Sequence, residues 1–328
     1  MTEQRGTTEQ RAGIGRLTAA IVAVAATLPY LTIKTLWLTG DPVGVSDPAL
    51  MDNGQMLGMN ALTFAMEAAG LLLALAFTMR WGMRLPAWLV LLPLWVGTGL
   101  LSVLAVTTPL IVLIGGLAIF RGGPIQSWVY MVVYGGFITL GIALMTAFAL
   151  YARDRWPAVF ATPVRLPFPS ATRSFQEVVA WGALLVATAV GALRVVMAFD
   201  GAVQAVQNGL KALLAVGGAA ALVALVRRRG NGPFWRPLAL AWLGSGSLFG
   251  WGLFSMIVRS TGGPLAYGGT GVADFAELFG MLTGLVMGMC GAFLLAERSG
   301  VGHVQPGQDA LERQDREGDR QPADHGHR

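Results

Sequence analysis

The sequence predicts an all-α integral membrane protein with eight transmembrane helices, arranged as two four-helix repeats of parallel topology. Three observations lead to this prediction. The chain of 328 residues is 54% hydrophobic and only 12% charged, whereas soluble domains carry about 25% charged residues. Its apolar residues fall into separate runs long enough to cross a hydrocarbon core of about 30 Å. Its two halves also resemble each other in sequence.

The internal similarity is clearest between residues 71–102 and 218–249, which align without a gap at an offset of 147. The shared frame contains a Pro-x-Trp motif followed by a Trp-x-Gly-[Thr/Ser]-Gly motif. A frame that recurs in this way predicts an internal duplication. The matched positions include Pro86/Pro233, Trp88/Trp235, Trp95/Trp242, Gly97/Gly244, Thr98/Ser245 and Gly99/Gly246. Near the ends of the halves, Ala147-Phe148 aligns with Ala292-Phe293 at an offset of 145.

The apolar runs divide the chain into five regions. We expect a polar cytoplasmic segment at 1–14, a first membrane repeat at 15–152, a cytoplasmic linker at 153–176, a second repeat at 177–298 and a disordered cytoplasmic tail at 299–328. The tail is rich in charged and polar residues and poor in apolar ones, a composition typical of disorder. After a first span that ends near Leu38, the predicted spans are 56–79, 86–106, 128–152, 177–199, 204–226, 237–258 and 274–296.

One apolar stretch does not fit the scheme of full spans. Residues 109–120 follow Thr107-Thr108-Pro109, where proline is expected to end the preceding helix. The stretch is too short to cross the bilayer, so it is predicted to be re-entrant or interfacial. Its counterpart in the second half, residues 261–272, is richer in glycine and more loop-like.

The arginines predict the orientation. With eight spans and a cytoplasmic N-terminus, two arginines (Arg121 and Arg259) face outward and fourteen face inward before the tail is counted. This asymmetry follows the positive-inside rule and predicts a cell-membrane protein with both termini cytoplasmic. It also accounts for the net charge of +5, so we expect no nucleic-acid partner. The inward arginines are Arg5, Arg11, Arg16, Arg80, Arg84, Arg153, Arg155, Arg165, Arg173, Arg227, Arg228, Arg229, Arg236 and Arg298.

Residues that bind metals or act as nucleophiles are scarce in the predicted spans. All three histidines lie in the C-terminal tail, and the single cysteine, Cys290, lies in an apolar run. This distribution predicts no haem, zinc or di-iron centre and no disulfide. Neither a catalytic triad nor a phosphate-binding loop is present in the sequence. We therefore expect neither a cofactor nor a metal, and we predict that the chain is not an enzyme.

Six ionisable residues at membrane depth form the candidate site. A charge in the bilayer core costs roughly 2.5–3.5 kcal/mol on insertion scales, so such residues usually face the bundle interior and are paired. Glu67 lies deepest, near the middle of its span. If spans 2 and 6 face each other, Glu67 and Lys211 would approach. The six candidates are Lys34, Glu67, Arg194, Lys211, Asp274 and Glu277.

These features are compatible with more than one function. The first hypothesis is a small-solute or ion-coupled transporter with its charged site at the interface between the repeats. The second is a membrane accessory, assembly or immunity protein that acts through a membrane protein partner, with the charges as a structural ion-pair network. A third, a membrane enzyme acting on lipid through Glu67 or the outer carboxylates, lacks the residues that most such enzymes need.

Overall fold

A computed structural model describes residues 3–166, 170–261 and 271–300. In these ranges the chain is helical, and eight helices are long and apolar enough to cross a membrane, which confirms the predicted number of spans. A short helix, α5, lies between the fourth and fifth long ones. The helices are α1 (Glu3–Leu38), α2 (Gly54–Thr78), α3 (Ala87–Gly115), α4 (Ser127–Arg155), α5 (Pro157–Ala161), α6 (Arg173–Met197), α7 (Ala202–Val226), α8 (Trp235–Thr261) and α9 (Gly271–Gly300).

The helix connections gather at two ends of the bundle. At one end, here called the arginine-rich end, Pro163 after α5 pairs with Pro233 before α8 in an isolated β-bridge. At the other, here called the far end, Val45 after α1 pairs with Ile125 before α4. The predicted linker is therefore partly helical and packs on the connection that precedes α8.

Helix α3 contradicts the predicted break before Pro109. The helix runs without interruption from Ala87 to Gly115, and residues 117–120 form a 3₁₀ turn. Residues 109–115 are thus the last turns of a full span and not a re-entrant segment. Proline is tolerated inside membrane helices where neighbouring groups compensate the lost hydrogen bond.

The glycine at the end of α3 explains where the helix stops. Gly116 has a φ of +62°, a backbone conformation that is strained for other residues. Of the glycine-rich counterpart at 261–272, residues 262–270 lie outside the described part of the chain, as does the tail from residue 301.

Each group of four long helices has its own buried core. Helices α1–α4 enclose one core and α6–α9 another. Alanines dominate the closest contacts: Ala23, Ala74 and Ala147 in the first core are fully buried, as are Ala187 and Ala215 in the second. Small side chains let helices approach closely, which is how helices associate where lipid provides no hydrophobic driving force.

The two groups meet mainly through α3 and α8. At the crossing, a Cβ built on Gly99 would lie 2.1 Å from the carbonyl carbon of Gly246, so the two backbones are in contact. Two tryptophans flank this point. The indole N–H of Trp95 donates to Ser245 Oγ at 3.0 Å, and that of Trp242 donates to Thr98 Oγ1 at 2.9 Å. The two hydrogen bonds are reciprocal. At the offset of 147, Trp95 corresponds to Trp242 and Thr98 to Ser245, so each half supplies one donor and one acceptor.

The two groups differ in how tightly their second and third long helices pack. Helices α7 and α8 are in backbone contact, because a Cβ on Gly218 would lie 2.8 Å from the Cα of Gly244. In the first group, the residue at the position of Gly218 is Leu71, and a Cβ on Gly97, the counterpart of Gly244, would meet nothing within 4 Å. Helices α2 and α3 make few contacts, so they pack less closely than α7 and α8.

The crossing predicts opposite outcomes for two neighbouring glycines. Gly99→Ala forces two backbones apart and should cost about 1–3 kcal/mol, the usual range for overpacking. Gly97→Ala has free space and should change stability little or raise it. Thermal unfolding of both variants in detergent measures the difference, and equal melting temperatures would contradict the α3–α8 contact.

Candidate functional site

The six candidate residues separate into two buried clusters and one ion pair near the surface. The first cluster lies between α1 and α2 and contains Lys34 and Glu67. The second lies among α6, α7, α8 and α9 and contains Arg194, Lys211 and Glu277. Asp274 pairs with Arg259 close to the far end, where both side chains are partly exposed.

The first cluster joins a lysine and a carboxylate through a neutral amide. Lys34 is 7% exposed, and its Nζ donates to Asn60 Oδ1 at 2.6 Å. The ammonium group also lies 4.7 Å from the ring centroid of Trp37. Glu67 is 6% exposed and interacts electrostatically with Lys34. In the described ranges the Glu67 carboxylate accepts no hydrogen bond and forms no direct ion pair, so it is the least satisfied buried acid of the site.

Sequence reasoning missed the polar neighbours of Glu67. Asn60 and Thr63 precede it on α2 at spacings of seven and four residues, which places all three on one helix face. Tyr30 of α1 lies near Thr63 and interacts electrostatically with Glu67. The spacing of Asn60, Thr63 and Glu67 was the signal that could have identified this polar face.

The far-end loop covers the first cluster. The indole N–H of Trp37 donates to the carbonyl of Val43 at 2.8 Å. Met51 contributes a weak contact, because its Sδ lies 3.6 Å from Asn60 Nδ2. Ile33, Trp37, Val45 and Val129 form a small apolar core beneath the loop. Lys34 is therefore closed off from the far end by packed side chains.

The second cluster is built on a buried two-point ion pair. Arg194 is 1% exposed. Its two terminal nitrogens donate to Glu277, at 3.2 Å to Oε1 and at 3.0 Å to Oε2. This parallel geometry matches the guanidinium fork to the carboxylate, the strongest form of such a pair. Leu248 and Val190 pack near Gly280, one turn beyond Glu277 on α9, so α6 and α9 lie close together here.

Two nitrogen donors in this cluster are buried without a hydrogen-bond acceptor among the described residues, and a third donor, the Lys211 ammonium, lies next to one of them. The two buried nitrogens are Arg194 Nε and Trp251 Nε1. The Lys211 ammonium lies 4.0 Å from the ring centroid of Trp251 and interacts with both Arg194 and Glu277. Lys211, Arg194 and Glu277 together carry a net charge of +1. The cluster therefore has an excess of both positive charge and donors.

The charges do not meet between the two helix groups, where the sequence-based hypothesis placed them. Lys34 is the partner of Glu67, and Lys211 interacts with Arg194 and Glu277. The expected approach of Glu67 to Lys211 is therefore absent. The contact between the groups is neutral and is made by Trp95, Trp242 and the neighbouring small residues. Within the described ranges, no three His, Cys, Asp or Glu residues lie close enough together to hold a metal ion.

Comparison of the chain with known protein families, curated proteins and solved structures finds no match.

The buried ion pair predicts strong coupling between its two members. Arg194→Met leaves Glu277 buried without its partner and should cost about 3–5 kcal/mol. The double variant Arg194→Met/Glu277→Met removes both charges and should recover most of that loss. Unfolding of the two single variants and the double variant in detergent gives the coupling energy.

The exposed pair of Arg173 and Glu177, with a distance of 3.2 Å, serves as the control. Arg173→Met should cost only about 0.3–0.5 kcal/mol, as for surface pairs. Additive losses at Arg194 and Glu277 would show that the two side chains do not act as a pair.

Proposed function

We propose that the protein is a transporter for a small anion, with its binding site in the second cluster and an ion-coupling carboxylate, Glu67, in the first. The observation that carries this proposal is that Arg194 Nε and Trp251 Nε1 are buried near Lys211 without an acceptor among the described residues. A membrane-embedded group of excess positive charge is costly. An anion bound beside these groups would lower the free-energy cost of burying their charge.

The chemistry of the second cluster favours an anion over a cation or a neutral solute. Both oxygens of the Glu277 carboxylate already accept from Arg194, so its negative charge is compensated by a fixed cation. Arg194 Nε, Trp251 Nε1 and the Lys211 ammonium are hydrogen-bond donors and need an acceptor. An unsatisfied buried donor costs about 1–3 kcal/mol, so a small anion that accepts from two or three of them binds with a substantial gain.

Glu67 is the group that suits coupling to a proton or cation. It lies near the middle of α2, at a depth where water is scarce, and it has neither a hydrogen-bond donor nor a direct ion-pair partner among the described residues. Among the described residues, the charged group that acts on it is Lys34, whose ammonium donates to Asn60 instead. A carboxylate in this state can take up a proton or a monovalent cation without first breaking a hydrogen bond.

We also propose a repeat architecture for the helix bundle and an orientation for the protein in the membrane. Two parallel four-helix repeats, related by an approximate two-fold axis along the membrane normal, would account for the reciprocal tryptophan hydrogen bonds at the α3–α8 crossing. Some transporters are built from parallel repeats of this kind. The arginine distribution supports placement in the cell membrane with the arginine-rich end and both termini in the cytoplasm. We propose no enzymatic activity.

A second candidate function is a membrane accessory or assembly protein that acts through a protein partner. The feature that favours it is the Arg194–Glu277 pair, whose doubly hydrogen-bonded geometry is that of a structural lock. In this case the charges hold four helices together and bind no solute. The two functions differ in their response to anions.

Anion binding should raise the stability of the detergent-solubilised protein. Chloride, nitrate or acetate at about 100 times the dissociation constant should add roughly 2.7 kcal/mol of apparent stability. Lys211→Met should abolish the effect. Trp251→Phe should weaken it, because phenylalanine keeps a ring beneath Lys211 but removes the N–H donor. The measurement is the melting temperature in a titration at constant ionic strength.

Trp95→Phe is the matched control, because its N–H already has an acceptor in Ser245. This variant should be less stable than the wild type and yet keep the full anion effect. If no anion stabilises the wild type, or if Lys211→Met responds as the wild type does, the binding site is refuted and the accessory function is favoured.

Transport in proteoliposomes tests the role of Glu67. Glu67→Gln keeps the shape of the side chain but removes its charge, so it should abolish uptake driven by a proton or sodium gradient. Stabilisation by the anion should remain, because the second cluster is unchanged. Asp274→Asn is the control, because its carboxylate lies near the surface. Gradient-driven uptake by Glu67→Gln at the wild-type rate would exclude the coupling role.

A further inference from the structure

A cavity of about 370 Å³ lies among α3, α7, α8 and α9 in the half of the bundle nearer the arginine-rich end. Its floor is formed by Leu222 and Leu225 of α7 and by Leu238 of α8. On the opposite side, Trp88 of α3 is 66% exposed and Met289 of α9 is 52% exposed. The cavity therefore opens sideways between α3 and α9, toward the surface that faces the bilayer.

The cavity exists because the two halves differ in one aromatic contact. In the first half, Phe148 of α4 stacks on Trp242 with ring centroids 5.7 Å apart. Its counterpart at the offset of 145, Phe293, is 61% exposed and leaves the equivalent space beside Trp95 unfilled. Trp95 stacks on Phe249 instead, at 4.9 Å. The space next to Trp95 and Gly288 remains open as part of the cavity.

The lining chemistry selects an apolar occupant. Trp95 and Ser245 reach the cavity, but the indole N–H of Trp95 is already hydrogen-bonded to the Ser245 hydroxyl. The N–H of Trp242 is likewise used by Thr98. The rest of the lining is leucine, methionine, alanine, glycine and tryptophan. The volume is at the lower end of the range for small-ligand sites, about 300–1,000 Å³.

Positive charge flanks the end of the cavity nearest the arginine-rich end. Arg84 lies four residues before Trp88, Arg227 two residues after Leu225, and Arg236 two residues before Leu238. Three of the four lining helices thus have an arginine within about one turn of the cavity. Clusters of arginine at a membrane surface attract anionic lipid headgroups.

We infer that the cavity is a binding site for one acyl chain of an anionic phospholipid, whose headgroup lies at the arginine-rich end. The chain enters through the lateral opening between α3 and α9 and packs against Trp95 and Gly288. Its phosphate is positioned by Arg84, which precedes α3, and by Arg236 in the first turn of α8. This site is separate from the charged clusters and does not depend on the proposed transport function.

Native mass spectrometry of the full chain, with phosphatidylglycerol or phosphatidylcholine added, tests the site. Gly291 lines the cavity and a Cβ there would meet nothing within 4 Å, so Gly291→Leu fills the space without an immediate backbone clash. Gly182→Leu is the matched control, because Gly182 is an exposed position on α6 with the same free space. Thermal unfolding establishes that both variants are folded.

We expect the wild type and Gly182→Leu to retain one phosphatidylglycerol molecule per chain. The fraction of Gly291→Leu that retains the lipid should be at least tenfold lower. The double variant Arg84→Gln/Arg236→Gln should lose its preference for phosphatidylglycerol over phosphatidylcholine. If Gly291→Leu is unfolded, quenching of tryptophan fluorescence by brominated phosphatidylglycerol in the wild type provides the second measurement. The proposal would be overturned if folded Gly291→Leu retained as much phosphatidylglycerol as the wild type, or if the wild type retained both lipids equally. Absence of quenching, or a dimer without bound lipid, would also overturn it.

Discussion

The structure depends on the backbone contact between α3 and α8. In lipid the apolar surfaces of two helices gain little by leaving their surroundings, so association requires close packing and directed hydrogen bonds. Gly99 and Gly246 allow the close packing. The reciprocal hydrogen bonds from Trp95 and Trp242 add direction, and each also satisfies a donor that would otherwise be buried in hydrocarbon. Because this contact is neutral and tight, it leaves no room for charge, and the charged residues lie within the separate helix groups.

Small differences between similar halves give the two groups different properties. Gly218 allows backbone contact between α7 and α8, whereas α2 and α3, where the corresponding residue is Leu71, make few contacts. The second group is therefore the more tightly packed, and it contains the buried Arg194–Glu277 pair with its excess of donors. The first group is looser and contains Glu67, whose carboxylate accepts no hydrogen bond from the described residues. This difference is why we propose anion binding for the second group and ion coupling for the first.

Much of the fold could be predicted from sequence, while the site could be predicted only in part. Five of the six ionisable candidates are buried or half-buried, whereas Asp274 is exposed. Their partners were not predictable, because a partner on another helix depends on how the helices are rotated and which ones are neighbours. Asn60 beside Lys34 and Trp251 beside Lys211 are of this kind. The expected meeting of Glu67 and Lys211 was wrong for the same reason.

The sequence by itself determined the number of membrane-spanning helices, the position of the arginines at one end and the recurrence of the tryptophan and glycine positions. Each of these follows from local composition and spacing, which do not change when the chain folds. The tertiary structure alone decided that α3 continues through Pro109, that the charges separate into two clusters, and that a cavity remains beside Trp95. These depend on which helices become neighbours, because the groups that surround a helix segment, a buried charge or an empty space come from parts of the chain that are distant in sequence.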